Sequence, residues 1–195
     1  MRRLFDITGA LVGLAITFPF WPLIVLAIKI DSRGPALVRL ARVSRGKLIY
    51  VYKFRSMVAC AHLLKNKFFN LNERQDGPFF KIKQDPRLTR VGKIIRKFRL
   101  DELPQFFNVL KGDLALVGPR PHEPEEVIHY PDEYKHLILA KAGLTGLSQV
   151  NGASSLPFLS ELNLDHYYVK NRTLGMDIQI LKKTIGVFFT DSTAV

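Results

Sequence analysis

The sequence predicts an α/β protein, mainly helical with a short β-hairpin or small sheet, held at a membrane by an N-terminal re-entrant helix-break-helix. Three observations lead there. Residues 11–28, LVGLAITFPFWPLIVLAI, run for eighteen positions without a formal charge and carry Pro19 and Pro22 at their centre. Residues 36–54 alternate in character around Ser44, Arg45, Gly46 and Lys47, the pattern of two strands joined by a tight turn. Apolar residues then recur at helical spacing, first Val91, Ile94, Ile95 and Phe98, and again Leu103, Phe106, Phe107 and Leu110. The expected organisation is a membrane segment at 1–30 and a cytoplasmic catalytic domain at 31–195, working as one unit.

The apolar run is at the lower length limit for a straight spanning helix, and its prolines would break or kink it. Arg2 and Arg3 precede it while Lys29 and Arg33 follow, so the positive-inside tendency puts both flanks on one side. A helix that enters one leaflet, turns and returns satisfies both conditions. A cleaved secretory signal fits poorly, because Lys29, Ile30 and Asp31 stand where small residues would be needed.

In the hairpin, the second strand brings Lys53 and Arg55 to the same side if the extended geometry persists. From 56 to 69 the spacing of Met57, Cys60, Leu63 and Leu64 predicts an amphipathic helix, suited either to a membrane interface or to packing on the core. Residues 70–83 contain Gly77-Pro78 and read as a loop. Residues 114–117 are a short strand candidate, and 159–170 and 177–189 are helices, the last with Lys182 and Lys183 opposite an apolar face. Between them KAGLTGLSQVNG reads as a glycine-punctuated loop.

Composition narrows the function classes. A chain of 195 residues with 47% hydrophobic content can form a single domain with a real core, which excludes disorder. The net charge of +12 calls for an anionic partner: nucleic acid, an anionic membrane surface or a phosphorylated substrate. Neither a base-stacking aromatic motif nor a recognition-helix signature is present, so nucleic acid is not expected. The single Cys60 excludes an internal disulfide and reads as a small buried residue. No Cys/His pattern supports zinc, and His122, Glu123, Glu125 and Glu126 read as a solvated helix start.

The chemistry concentrates at 85–121. Asp101 and Glu102 are adjacent carboxylates that follow Arg96, Lys97 and Arg99, and Arg120 lies between two prolines that stiffen its backbone. Carboxylate oxygens beside several phosphate-binding cations suit phosphoryl chemistry. Pro104 is tolerated in a first turn, so two helices are expected here rather than one, with Asp101 as the N-cap of the second. An Asp before a helix is commonly nothing more than a cap.

The run RLDELPQFFNVLKGDLALVGPRP, residues 99–121, resembles the signature of the bacterial sugar transferases, monotopic phosphoglycosyl transferases that load a sugar phosphate onto a polyprenyl phosphate carrier. Further matches are RRLFD at 2–6, SRGPALVRLARVSRGKLIYVYKFRSM at 32–57, DPRLTRVGKIIRK at 85–97, KAGLTGLSQVNG and LDHYYVKN. The resemblance implies a UDP-sugar donor, an undecaprenyl phosphate acceptor, Mg²⁺ and a catalytic domain facing the cytoplasm from the inner leaflet of the bacterial inner membrane. It implies Asp101 as nucleophile, with UMP leaving from a covalent aspartyl intermediate, and Glu102 as Mg²⁺ ligand or proton acceptor, both carboxylates lying at the metal. Lys53, Arg96 and Arg120 would bind substrate phosphate, with Arg55, Gln105 and Asp165 in support. The step would open assembly of a bacterial glycan such as an exopolysaccharide, capsule, O-antigen or glycoprotein. Five positions depart from the family pattern: Phe18, Leu40, Arg99, Ser148 and Ala153. Two rival classes are a metal-dependent phosphohydrolase using the same dyad and a non-catalytic basic module that binds membrane or nucleic acid. The sugar, the glycan and the oligomeric state are not legible.

Overall fold

A computed structural model of the chain describes residues 2–74, 76–152 and 155–190. The apolar N-terminus forms two helices, α1 (Arg2–Thr17) and α2 (Trp21–Asp31), separated by a 3-10 turn at Phe18–Phe20. Pro19 falls in the 3-10 turn itself and Pro22 in the first turn of α2, where a missing N–H leaves no bond unmade. At the break Phe18 packs its ring at a tilt 5.3 Å from that of Trp21, and the Thr17 hydroxyl donates to the carbonyl of Gly13. The arm is long and apolar enough to cross a membrane, with a mean hydropathy of 2.3 in its most apolar window, yet only 17% of that window is buried. Most of its apolar surface therefore has no partner within the chain.

The remaining contacts of the arm bind it to the body. Ala10 is fully buried with Val109, Leu114 and Leu116, while Trp21, Ile24 and Ile28 pack with Phe54, Ile95 and Leu103. Arg3 donates to the carbonyls of Val109 and Leu110, and buried Asp6 accepts from the Leu116 N–H and pairs with Lys141 at 3.2 Å. At the far end Asp31 accepts from the N–H of Val91.

The expected hairpin is present as β1 (Leu37–Ser44) and β2 (Lys47–Phe54), antiparallel, with Val38 opposite Lys53. Arg45 and Gly46 both have positive φ, as a two-residue turn that follows strand twist requires. The expected helix at 56–69 is absent. In its place are 3-10 turns at Ala61–Leu64 and Asn66–Leu71, preceded by Cys60 in the left-handed region. The backbone here is spoken for by other chain: Val58 donates to the Arg87 carbonyl and Thr89 donates to the Ser56 carbonyl. Cys60 is exposed, contrary to expectation.

Two helices follow as predicted, α3 (Arg90–Lys97) and α4 (Gln105–Lys111). Asp101 is not the N-cap of the second. Arg99 turns left-handed, Leu100–Glu102 forms a 3-10 turn, and Pro104 occupies the cap position of α4. The strand β3 (Ala115–Val117) pairs in parallel with β4 (Gly143–Thr145), which the sequence reading had as a loop. Its glycine is a packing requirement: a Cβ on Gly143 would stand 2.1 Å from the Gly118 nitrogen. After β3 comes the short helix α5 (Pro124–Val127), and α6 (Leu147–Val150) follows β4. The chain closes with α7 (Phe158–Asn171) and α8 (Leu174–Thr190), close to the predicted ranges. Tyr168 of α7 and Ile180 of α8 complete the core beneath β3, and Tyr168 donates to buried Asp177 at 2.6 Å.

Candidate active site

The end of β2, the turn after α3 and the loop after β3 converge on a cavity of about 890 Å³ lined by Lys53, Arg96, Asp101, Glu102, Gln105 and Arg120. Their convergence depends on Asn108, fully buried on α4. Its amide accepts from the Tyr52 N–H at 2.9 Å and donates to the Tyr50 carbonyl at 2.8 Å, extending the hydrogen bonding of the β2 edge onto the helix. Next to Tyr52 on β2, Lys53 meets the dyad.

The Lys53 ammonium lies 2.5 Å from Glu102 Oε1 and 3.8 Å from Asp101 Oδ2. Burial pushes the Asp101 carboxyl above its ordinary range; Lys53 pulls against this, and the charge of Glu102 adds to it. Burial acts on Glu102 in the same sense, but the Lys53 contact, with Arg99 and Arg120 behind it, overcomes it and holds Glu102 well below the usual carboxylate range. The two neighbours are thus driven in opposite directions, Glu102 held ionised by Lys53 and Asp101 pushed upward by burial, the pattern that separates roles within a carboxylate pair.

Each sequence-predicted residue has a definite place. Arg96 lines the cavity and its Nε donates to Ser56 at 3.0 Å. Gln105 is buried at the foot of the dyad, in the first turn of α4. Arg55 also borders the cavity, but its guanidinium is engaged by the Pro35 carbonyl and by both oxygens of Ser32, so it braces the segment before β1. Arg120 carries a partly exposed side chain, with Nε 3.8 Å from Glu161. Asp165 lies off the main cavity and accepts from the Arg120 backbone N–H at 3.0 Å. Burial pushes its carboxyl up to about 6. Its other oxygen and the hydroxyl of Ser148 beside it make no hydrogen bond of good geometry.

Sequence reasoning missed two members. His122 was expected in a solvated helix start, yet it is buried, with Nε2 2.9 Å from Glu161 and Nδ1 bonded to Tyr130. Glu161 is 1% exposed and lies one helical turn before Asp165. The only signal was the four-residue spacing of two acids on one helix, which surface helices share. Glu123 does sit near solvent, paired with Arg42 at 3.3 Å and Lys65 at 3.0 Å. Of the departures, Leu40 packs against the core and Arg99 borders the cavity. Ser148 is fully buried, and Ala153 lies outside the described residues.

Among the described residues no group of three or more His, Cys, Asp or Glu side chains forms a metal site. The dyad offers two hard oxygen donors, which fits Mg²⁺: that ion takes one or two carboxylates and fills its octahedron with water and substrate phosphate. Carboxylates and fixed cations thus share one cavity, beside an apolar arm most of whose surface is exposed.

Comparison with known proteins identifies the class. The model of the bacterial sugar transferase family matches residues 1–191, and the chain belongs to that family. It is 44% identical over 191 residues to an undecaprenyl-phosphate galactose phosphotransferase of Salmonella typhimurium, covering 96% of this chain and 40% of that protein. It is 37% identical over 199 residues to a UDP-N-acetylgalactosamine-undecaprenyl-phosphate N-acetylgalactosaminephosphotransferase of Aeromonas hydrophila, covering 97% and 44%. The exopolysaccharide production protein ExoY of Rhizobium meliloti is 32% identical over 188 residues, covering 94% of this chain and 83% of that protein. The chain spans about two fifths of the first two relatives and most of the third.

Proposed function

We propose that the protein transfers a sugar 1-phosphate from a UDP-sugar to undecaprenyl phosphate, giving undecaprenyl-diphosphate-sugar and UMP. The observation that carries this reading is the Asp101–Glu102 pair with the Lys53 ammonium on it, facing a cavity that also presents Arg96 and Arg120. The names of the relatives supply the donor and acceptor classes.

In the proposed sequence an Asp101 oxygen forms a bond to the sugar-bearing phosphorus. The P–O bond to UMP breaks, and UMP leaves with the electron pair. An oxygen of the lipid phosphate then attacks the same phosphorus, the aspartyl P–O bond breaks, and the carboxylate is restored. Lys53, Arg96 and Arg120 neutralise the phosphate charge that would otherwise repel an anionic nucleophile. Glu102, kept ionised, and Asp101 are the residues that would hold Mg²⁺, which would supply further charge neutralisation on the phosphate oxygens. Gln105 and Asp165 support the dyad and the Arg120 loop from behind.

The membrane arm fits the meeting of a soluble nucleotide with a lipid carrier. Arg3 and Asp6 at its start and Asp31 at its end bind the same polar body, while Phe18, Phe20 and Leu23 at the break are exposed. A segment tied at both ends to one body enters and leaves the same leaflet. In this reading the catalytic domain faces the cytoplasm from the bacterial inner membrane, the side on which UDP-sugars are found.

The test is UMP release by detergent-solubilised protein with Mg²⁺, undecaprenyl phosphate and a panel of UDP-sugars. Release that requires the lipid and falls about 10³-fold or more in Asp101→Asn is the expected result. Lipid-independent release of inorganic phosphate would replace the reading with a phosphohydrolase. Unchanged function in Asp101→Asn would leave a binding module.

A further inference from the structure

We propose that Glu161 is the positioning residue of Arg120, holding its guanidinium so that the outer nitrogens face the cavity. The inference rests on the phosphate-binding role given to Arg120 above. Glu161 and Asp165 are one turn apart on α7 and both are buried, at 1% and 2% exposure. They grip the same residue at two points. Asp165 takes the backbone N–H of Arg120 at 3.0 Å, and Glu161 Oε1 stands 3.8 Å from its Nε. The second distance is an ion pair and not a hydrogen bond. Because the contact falls on Nε, the two terminal nitrogens are left for a ligand, and the side chain keeps 36% of its surface exposed.

A buried carboxylate this close to a single cation would be costly without a further donor. His122 supplies it: its Nε2 lies 2.9 Å from the same Oε1, and its Nδ1 meets the Tyr130 hydroxyl. Burial raises the Tyr130 phenol, so its hydroxyl keeps its proton beside Nδ1. Because an ionised carboxylate only accepts, it is the Nε2 proton of His122 that points at Glu161. Burial works to raise Glu161 as well, but the His122 hydrogen bond and the Arg120 charge outweigh it and keep Glu161 ionised. The chain Tyr130–His122–Glu161–Arg120 runs from the core cluster containing Tyr130, Phe158 and Leu162 to the edge of the cavity. Phe79 packs at a tilt against the His122 ring, 4.7 Å between centroids, and helps to close it from solvent. The stiff prolines on either side of Arg120 fix its backbone; this chain fixes its side chain.

The experiment uses the full chain in detergent and UDP as the probe, with affinity measured calorimetrically for wild type, Glu161→Gln, Arg120→Ala and the double variant. Glu161→Gln keeps an oxygen for His122 and loses the charge that holds Arg120. It is expected to weaken UDP binding about 5- to 10-fold in the wild-type background and to have no further effect once Arg120 is gone. In turnover, the KM for the UDP-sugar should rise by a similar factor while kcat changes less than 3-fold, whereas loss of folded protein would lower kcat at constant KM. Glu161→Asp, which keeps the charge one methylene further away, should fall between the two. Equal losses in both backgrounds, or UDP affinity unchanged in Glu161→Gln, overturn the positioning role alone. If Arg120→Ala itself binds UDP as wild type does, the phosphate-binding role of Arg120 falls, and the inference falls with it.

Discussion

Two walls of the cavity each hold a Glu and an Asp, and they hold them differently. On the dyad wall Asp101 and Glu102 are neighbours in the chain, and their cation, Lys53, comes from the hairpin. On the α7 wall Glu161 and Asp165 are one helical turn apart, and their cation, Arg120, comes from the loop after β3. In both pairs the Glu lies nearer the cation's side chain and is held ionised, while burial pushes the Asp upward. The difference is access. Asp101 borders the large cavity, whereas Asp165 is turned away from it towards a small void of about 20 Å³. The same electrostatic arrangement therefore leaves one carboxylate open to the cavity and encloses the other.

Breaking the dyad wall should have the larger effect. Lys53→Met leaves two adjacent, poorly solvated carboxylates without their shared cation. UMP release is expected to fall about 10²-fold or more, and stability at pH 8 by on the order of 3 kcal/mol. The sign follows from Glu102: its folded pKa is depressed, so its contribution is present above the unfolded pKa and lost as pH falls through the folded one. The stability gap between variant and wild type should thus narrow as pH falls from 4.5 towards about 2, which denaturant titrations at pH 8 and about pH 3 would measure. A gap independent of pH would mean that Lys53 acts through packing.

On the α7 wall the sign reverses. Asp165 has its carboxyl pushed from 3.8 to about 6 by burial, so the folded state holds this proton more tightly than the unfolded chain. Its contribution is full below about pH 3.8 and declines as pH rises through 6, by on the order of 3 kcal/mol for roughly two pKa units. Asp165→Asn keeps an oxygen for the Arg120 N–H and never ionises. It should be more stable than wild type at pH 8 and indistinguishable from it at pH 4. Equal stability at both values would show that Arg120 and His122 already compensate the Asp165 charge.

How much of each wall the sequence reveals follows from how far apart its parts lie in the chain. Asp101 and Glu102 stand together among Arg96, Lys97 and Arg99, so a local reading finds them and the cations around them. The hairpin is equally legible, because alternation and an Arg-Gly turn are short-range signals. The partners on α7 are 39 and 45 residues from the groups they hold, and nothing near Glu161 marks it as buried. His122 was misread for the same reason: three following glutamates suggested solvent, while Tyr130, Phe79 and Glu161 enclose it. The helix expected at 56–69 failed where apolar spacing met a competing tertiary bond, the pairing of Met57 with Leu88. Strand β4 escaped notice because a three-residue buried strand with a glycine has no periodicity to read.

The smallest effect is expected where a charge lies near the cavity rim and close to solvent. Glu123 is bracketed by Arg42 and Lys65, and its side chain is 30% exposed. Burial raises its carboxyl and the two cations more than reverse this, as Lys53 does for Glu102, so the directions alone would suggest a comparable contribution. Solvent decides otherwise. Water screens the rim pairs and offers each partner a replacement, so Glu123→Gln should cost under about 1 kcal/mol, and less still in 0.5 M salt. The capping contact from Glu126 to the Glu123 N–H survives the substitution, which keeps α5 in place. Denaturant midpoints at low and high salt would check this, and a loss matching that of Lys53→Met would mean that the rim is as dry as the dyad.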